Sequence, residues 1–275
     1  MSTSPGLFDG DLYAANTGHH RAHDEEILAG LTLTPGTDVL DLGCGSGDFT
    51  ARLVPLVAPG LVVGVDVSPS QVAHARAHHP DAEFLAGRAQ DVGSLFPPAC
   101  FDVVVTVATL HWVPAVEQPA VLAGIARVLR PGGVLRADLG GAGQIAAARA
   151  VLDEVSARHD GPASPWCFPE PEAYGALLRV AGLTVQRARL VHQRRAFPDA
   201  AAFEGWLRSQ VLPAYLPAVP DAAREARLAV RAARTTKRRI VRYGDNDEPF
   251  MPRTLAEATT VVNRVLGSAL SPLSP

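Results

Sequence analysis

The sequence predicts a doubly wound α/β sandwich on a mostly parallel sheet, and three observations carry that prediction. Short apolar runs rich in Val and Leu alternate with helix-periodic segments through the first half of the chain. Each run is apolar on consecutive residues rather than alternate ones, the pattern of a strand buried on both faces. The first run, Val39-Leu40-Asp41-Leu42, passes straight into Gly43-Cys44-Gly45-Ser46-Gly47, a turn that sends the chain back as a helix. Strands joined through helices take right-handed crossovers, so helices cover both faces of the sheet.

The elements follow in chain order. Residues 24–31 have helical apolar spacing after a polar, histidine-rich start. Residues 37–42 form a first buried strand, and residues 47–57 a helix closed by Pro59-Gly60. A second strand over 61–66 ends on Asp66. Ser68 caps the next helix, 69–78, with Pro69 at its first position and Pro80 beyond its end. Residues 82–86 make a short third strand and 101–107 a fourth, nearly all Val. Residues 116–129 place apolar side chains at helical spacing and stop before Pro131-Gly132-Gly133, after which 134–138 is a fifth strand. Beyond Gly140 the pattern loosens. An alanine-rich helix is expected over 141–158, another over 170–181 with Gly182 behind it, and a sixth strand over 183–192. Helices over 198–211 and 221–237 flank the proline-rich stretch 212–220 and read as a helical cap inserted late. Residues 239–243 and 248–253 are two candidates for a seventh strand, and the tail 268–275 is expected to fray. The organisation expected is a segment or lid over 1–35, an α/β core over 36–192, and a cap over 193–275 that returns to the core.

Composition removes several function classes. The chain has 275 residues and is 47% apolar, enough for a large core. A net charge of −3 offers no basic face for nucleic acid. The run Arg231, Arg234, Lys237, Arg238, Arg239, Arg242 reads as a solvated helix face. Cys44, Cys100 and Cys167 show no CxxC spacing, so a reduced cytoplasmic protein without disulfides is expected. His19, His20 and His23 have no Cys or carboxylate partners at ligand spacing, and no metal is expected. No signal-peptide pattern or bilayer-length apolar run is present, so no membrane partner is expected. A monomer or homodimer is expected.

The glycine turn narrows the ligand. A dinucleotide site reads GxGxxG and rests a pyrophosphate on the helix N-terminus. Here Gly43, Gly45 and Gly47 give GxGxG, and Asp48 takes the place of the third dinucleotide glycine. A carboxylate there suits the helix dipole but repels a pyrophosphate. An adenosine ligand with a cationic group and no phosphate fits better, and S-adenosylmethionine (SAM) is one. Asp66, at the tip of the second strand, can take both ribose hydroxyls, because Ser68 already supplies the cap. An NAD-dependent reductase would need the other turn and a Tyr/Lys pair, and Lys237 is the sole lysine.

With VLDLGCGSG at 39–47, VVGVDVSPSQV at 62–72, FDVVVTVATLHWV at 101–113 and VLRPGGVLRADL at 128–139 in that order, the chain resembles the class I SAM-dependent methyltransferases, in particular their small-molecule branch, over about residues 35–140. The resemblance implies a seven-stranded Rossmann-like sheet and SAM as cofactor. It implies that Gly43, Cys44 and Gly45 lie against the methionine portion, that Asp41 receives the ammonium group, and that Val67 and Ala89 sandwich adenine. Cys44 reads as a small buried side chain rather than a nucleophile. The family's acidic adenine-pairing position falls on Arg88, which leaves Gln90, Asp91 or backbone near Ala89 to read the base. Thr106 and Val107 would lie under the sulfonium, and His20 or Arg21 would reach the cofactor carboxylate.

Methyl transfer by in-line displacement asks the protein chiefly to align reactants, and a base matters only where the acceptor loses a proton. His111, in Thr-Leu-His-Trp, reads as that base, as a substrate-orienting group, or as a loop tie. Trp112 walls the acceptor pocket, attracts the sulfonium, or packs the core. Tyr13, His19 and His20 belong to a segment that in this branch folds over the site as a lid. Trp166, Phe168, Trp206 and Tyr215 are the cap's aromatic residues, of which one or two are expected to face the acceptor. LHWV at 110–113 and LPAYLP at 212–217 are loosely similar to the trans-aconitate-type carboxylate methyltransferases. A carboxylate substrate would need cationic clamps such as Arg21, Arg194 or Arg195; an alcohol would need a base. The expected function is methyl transfer to a small organic acceptor on oxygen, in secondary metabolism. Transfer to nitrogen or carbon, or SAM binding without chemistry, are the alternatives.

Overall fold

The computed structural model describes residues 20–157 and 163–191, together with Trp206 and Val211. The chain divides into two compact units, residues 1–144 with 165–192 and residues 145–164 with 193–275. In chain order the elements are α1 (His20–Ala29), β1 (Val39–Leu42), α2 (Asp48–Val57), β2 (Val62–Asp66), α3 (Pro69–His78), β3 (Glu83–Ala86), a short α4 (Val92–Leu95), β4 (Phe101–Val107), α5 (Gln118–Val128), β5 (Leu129–Asp138), α6 (Ala146–Ala157) and α7 (Pro171–Val180).

The first unit holds one sheet of five parallel strands in the order β3-β2-β1-β4-β5. Strand order reverses between β1 and β4, which opens a crevice beyond the carboxyl ends of those strands. Because side chains alternate along each strand, the two faces sort their residues cleanly. Leu40, Leu42, Val63, Val65 and Val104 face α5 and α7, packing on Val121, Leu122, Ile125 and Tyr174. Val39, Val62, Val103 and Val105 pack on Ile27 of α1 and on Leu53 and Val57 of α2. The Val-rich strands thus bury both faces, and the sheet is doubly wound and Rossmann-like. At its opposite end, Arg130 bridges Asp38 at 2.8 Å and Asp102 at 2.6 Å. The Asp38 carboxylate also accepts the Leu61 N–H, and Asp102 accepts the Asp38 N–H, each at 2.8 Å.

The structure departs from the sequence reading in three places. β5 begins at Leu129 rather than at 134, because Leu129 pairs with Phe101 before an irregularity steps the register to Val103 opposite Val134. Gly132, at φ 81°, carries the chain through that step. The helix expected from 141 starts at Ala146. The sixth strand expected over 183–192 is not formed across 183–191, so the described sheet has five strands and not six or seven. Leu183 packs on the core, but residues 186–191 are exposed, and Arg189 turns to pair with Glu26 at 3.2 Å. Alternating arginines keep this stretch in water and leave it without an apolar face to bury. Both seventh-strand candidates, the tail, and the cap helices apart from Trp206 and Val211 lie outside the described residues.

In the second unit, α6 is tied to the chain that follows by the Asp153 carboxylate, which accepts the Ser164 N–H at 2.7 Å. Among the described residues no helix is long and apolar enough to cross a membrane.

Candidate active site

The end of β1 turns on Gly43, at φ 88°, where a Cβ would stand 1.9 Å from Thr109 Oγ1. Glycine is needed there both for the backbone angle and for the space. The turn faces a carboxylate whose orientation is fixed by backbone. Gly45 N–H donates to Asp66 Oδ2 at 3.0 Å and Ser68 N–H to Oδ1 at 2.8 Å. Each oxygen keeps acceptor capacity for a further donor. Burial pushes the Asp66 carboxyl above its ordinary range. Ser68, not Asp66, caps α3, with its hydroxyl accepting the Gln71 N–H at 3.4 Å.

Asp41 is 2% exposed and accepts the Thr50 hydroxyl at 2.6 Å. Burial pushes its pKa up to about 7; the Thr50 hydrogen bond opposes this, and the Asp66 and Asp24 carboxylates add to it. Burial also drives the Cys44 thiol far up, which removes it as a nucleophile at neutral pH.

An open cleft brings Gly43, Asp66, Val67, Ala89, Gln90 and Trp112 together. Asp91 is exposed at the end of the Ala89–Asp91 turn. Arg88 is paired at 3.6 Å with Glu117, whose Oε2 also accepts the Gln90 amide N–H at 2.5 Å. Because its nitrogen is engaged there, Gln90 keeps Oε1 as an acceptor. Sequence reasoning missed Glu117, and its local pattern carries no signal of this role. Thr106 is fully buried at the end of β4 with Oγ1 unpartnered, and Val107 is half-buried beside it.

Beyond Val107 the chain makes a short turn, Leu110–Trp112. Gly140 N–H donates to His111 Nδ1 at 3.1 Å, and Cys167 N–H donates to the His111 carbonyl at 2.9 Å. The His111 ring lies 5.6 Å from Phe168, which stacks on Trp166 at 5.7 Å; Trp166 meets Trp112 edge-on at 5.5 Å. A Cβ on Gly140 would come within 2.5 Å of the Phe168 ring, so the cluster closes only over glycine. Burial pushes the His111 imidazolium down to about 4, with the Asp138 carboxylate opposing.

The family model for a methyltransferase domain matches residues 39–133. A trans-aconitate 2-methyltransferase of Methylobacterium radiotolerans is 30% identical over 205 residues, 70% of this chain and 74% of the relative. The chain belongs to the class I SAM-dependent methyltransferases. Its cofactor is S-adenosylmethionine. An uncharacterized methyltransferase of Schizosaccharomyces pombe is 32% identical over 170 residues, 59% of this chain; the match spans 65% of that relative, less than two thirds of its length. A chain from the complex between the Haloferax volcanii Trm112 methyltransferase activator and a methyltransferase superposes with a TM-score of 0.50 at 27% identity, covering 62% of this chain and 72% of that one.

The residues present fit this cofactor. The Gly43 cradle has no room for a side chain, Asp66 offers a prealigned pair of acceptors, and Asp48 places a carboxylate where a pyrophosphate would sit. Of the other residues expected from the sequence, Tyr13, His19, Arg194, Arg195 and Tyr215 lie outside the described residues, as do the side chains of His20 and Arg21 at the start of α1. Trp206 is half-buried and belongs to the second unit.

Sequence reasoning also missed Gln118 and Tyr174. The Gln118 amide donates to the Leu110 carbonyl at 2.7 Å and to the Val113 carbonyl at 2.9 Å, and its oxygen accepts the Tyr174 hydroxyl at 2.9 Å. A signal was present: Gln118 is a polar residue on the same helical stripe as Val121, Leu122 and Ile125.

Proposed function

We propose that this methyltransferase esterifies a small organic carboxylate on oxygen by in-line displacement. One observation carries the reading. The His111 Nδ1 lone pair is committed to the Gly140 N–H, so the neutral ring holds its proton on Nε2. With a pKa near 4, His111 is a poor base at neutral pH and a competent hydrogen-bond donor. A carboxylate acceptor is already ionised and needs a donor to orient it, not a base. A lone pair of its oxygen forms the new C–O bond as the methyl–sulfur bond breaks, and no proton leaves the acceptor. The name of the Methylobacterium radiotolerans relative supports the same acceptor class.

Bound SAM supplies an electrophilic methyl group on a cationic sulfur. Trp112 lines the cleft and brings an aromatic ring, which favours a cation, with Trp166 and Phe168 packed behind it. On the cofactor side, Asp41 takes the ammonium group and Asp66 the ribose hydroxyls. Val67 and Ala89 cover the faces of adenine, and Gln90 Oε1 accepts from its amino group, with Asp91 the alternative. Backbone at Gly43, Cys44 and Gly45 lies along the methionine portion, and Thr106 and Val107 end the strand beneath the sulfonium.

The test is a screen of acceptors with isotope-labelled methyl donor, trans-aconitate among the carboxylates. Base-labile methyl ester formation is expected, with His111→Gln, which keeps a donor, retaining more turnover than His111→Leu. Transfer to alcohols or amines alone would end the carboxylate reading.

A further inference from the structure

We infer that Gln118 and Tyr174 are positioning residues for the acceptor side of the site: they set the turn that carries His111 and Trp112 without touching a reactant. The inference rests on the reading of His111 as the residue that meets the acceptor, and it deepens that reading.

Gln118 stands in the first turn of α5 with no exposed surface. A buried amide costs free energy unless each of its polar atoms is paired, and an apolar side chain of similar size would fill the same space without that demand. Here the demand is met in full. Two N–H groups reach the carbonyls of Leu110 and Val113, the residues on either side of His111 and Trp112. The amide oxygen takes the Tyr174 hydroxyl, which is itself buried. A fully satisfied buried network holds one geometry and penalises any other.

The partner chosen gives the network its role. Tyr174 lies on α7, just after the stretch that supplies Trp166 and Phe168. The turn at 110–112 and the segment 166–174 are therefore joined twice. One tie is Cys167 N–H to the His111 carbonyl at 2.9 Å. The other runs from Tyr174 through Gln118 to the carbonyls that bracket the turn. Between these ties the ring cluster assembles, and His111 meets the Gly140 N–H. Neither Gln118 nor Tyr174 hydrogen-bonds to Asp41, Asp66 or the Gly43–Gly47 turn; the nearest link to that turn is the Thr109 hydroxyl, which donates to the Gly43 carbonyl at 3.3 Å.

The experiment reads His111 directly. Nitrogen NMR of histidine side chains is recorded on the protein bound to S-adenosylhomocysteine, with His111 assigned by its loss in His111→Gln. In Tyr174→Phe the ring is expected to leave the single Nε2–H form for a mixture of tautomers. Its titration midpoint should climb by at least one pH unit from about 4, towards the value of a solvated imidazole. Affinity for S-adenosylhomocysteine should stay within about twofold, which a general loss of structure would not allow. Gln118→Met should produce the larger change in His111, and if that chain does not fold, Tyr174→Phe decides alone. His111 signals in Tyr174→Phe that superimpose on the parent's overturn the inference, as does a loss of S-adenosylhomocysteine binding as large as the change at His111. Failure of the underlying reading looks different: His111→Gln and His111→Leu would turn over as fast as the parent.

Discussion

The side of the cleft proposed for the cofactor works through backbone and carboxylate: the Gly43 turn, Asp41 and Asp66 come from two neighbouring strands, with Asp66 held by the Gly45 and Ser68 N–H groups at 3.0 and 2.8 Å and Asp41 by the Thr50 hydroxyl at 2.6 Å. The side proposed for the acceptor works through rings and amides, and its parts arrive from the 110–118 segment, from Gly140 and from 166–174. Both sides bury a titratable group, and loss of water acts on the two in opposite directions. It raises Asp41 to about 7 and lowers His111 to about 4, so each is biased towards its neutral form. The difference lies in what a ligand does next. A cation brought to Asp41 restores its charge, whereas a carboxylate brought to His111 uses the neutral ring as it stands.

Four measurements would break or sharpen this contrast. The largest effect is expected at Gly43. In Gly43→Ala the added carbon meets Thr109 at a backbone angle that disfavours side chains, and S-adenosylhomocysteine affinity should fall by about 3 kcal/mol, or roughly 100-fold. Binding like the parent's, by calorimetry, would show that the cradle is not made of backbone. Next, Asp66→Ala should cost about 1–3 kcal/mol of the same affinity, the range for hydrogen bonds to a charged group. Trp166→Ala should leave it within about twofold. Equal losses from the two variants would erase the boundary between the sides.

The third concerns pH. The Asp41 carboxyl is raised to about 7, so below that pH it is mostly protonated and cannot pair with an ammonium group. S-adenosylhomocysteine affinity should therefore weaken by roughly tenfold per unit as pH falls from 7 to 5, and Asp41→Asn should flatten the curve. A flat curve in the parent would detach Asp41 from the cofactor. The smallest effect is on stability without ligand. A His whose folded pKa is lowered contributes stability above its ordinary value of 6.5 that is lost as pH falls towards 4. For Asp41 the sign reverses: its contribution is full below 3.8 and is lost as pH rises to about 7. Melting curves of His111→Gln should lose part of the acid limb between pH 4 and 6.5, and those of Asp41→Asn part of the decline between pH 4 and 7.

The same contrast explains what could be read in advance. β4 spans the expected residues 101–107 because a run of Val has one outcome, a strand buried on both faces. The turn at 43–47 announces itself because it needs glycine at a backbone angle other residues avoid. The acceptor side offers no such local signature. His111 draws attention as the residue after a strand end, yet which of its nitrogens keeps a lone pair depends on the Gly140 N–H, which no local pattern links to it. Gln118 hides within an otherwise apolar helical stripe, and Glu117 shows its use only once Arg88 and Gln90 have folded against it. The stretch at 183–191 misleads in the other direction. Its residues include enough apolar side chains to suggest a strand, but Arg187 and Arg189 interrupt them, and 186–191 stay exposed without pairing to the described sheet.

Arg130 holds Asp38 and Asp102 at the mouths of β1 and β4, on the far side of the sheet from every reacting group. A strand can slide only in steps of one residue, and one step turns all of its side chains to the opposite face. Slippage of β1 against β4 would part this clamp and strand two carboxylates without their cation. The alignment that sets Asp41 level with Gly64 and Val105 is thus checked at a distance, by charges at the other end of the strands.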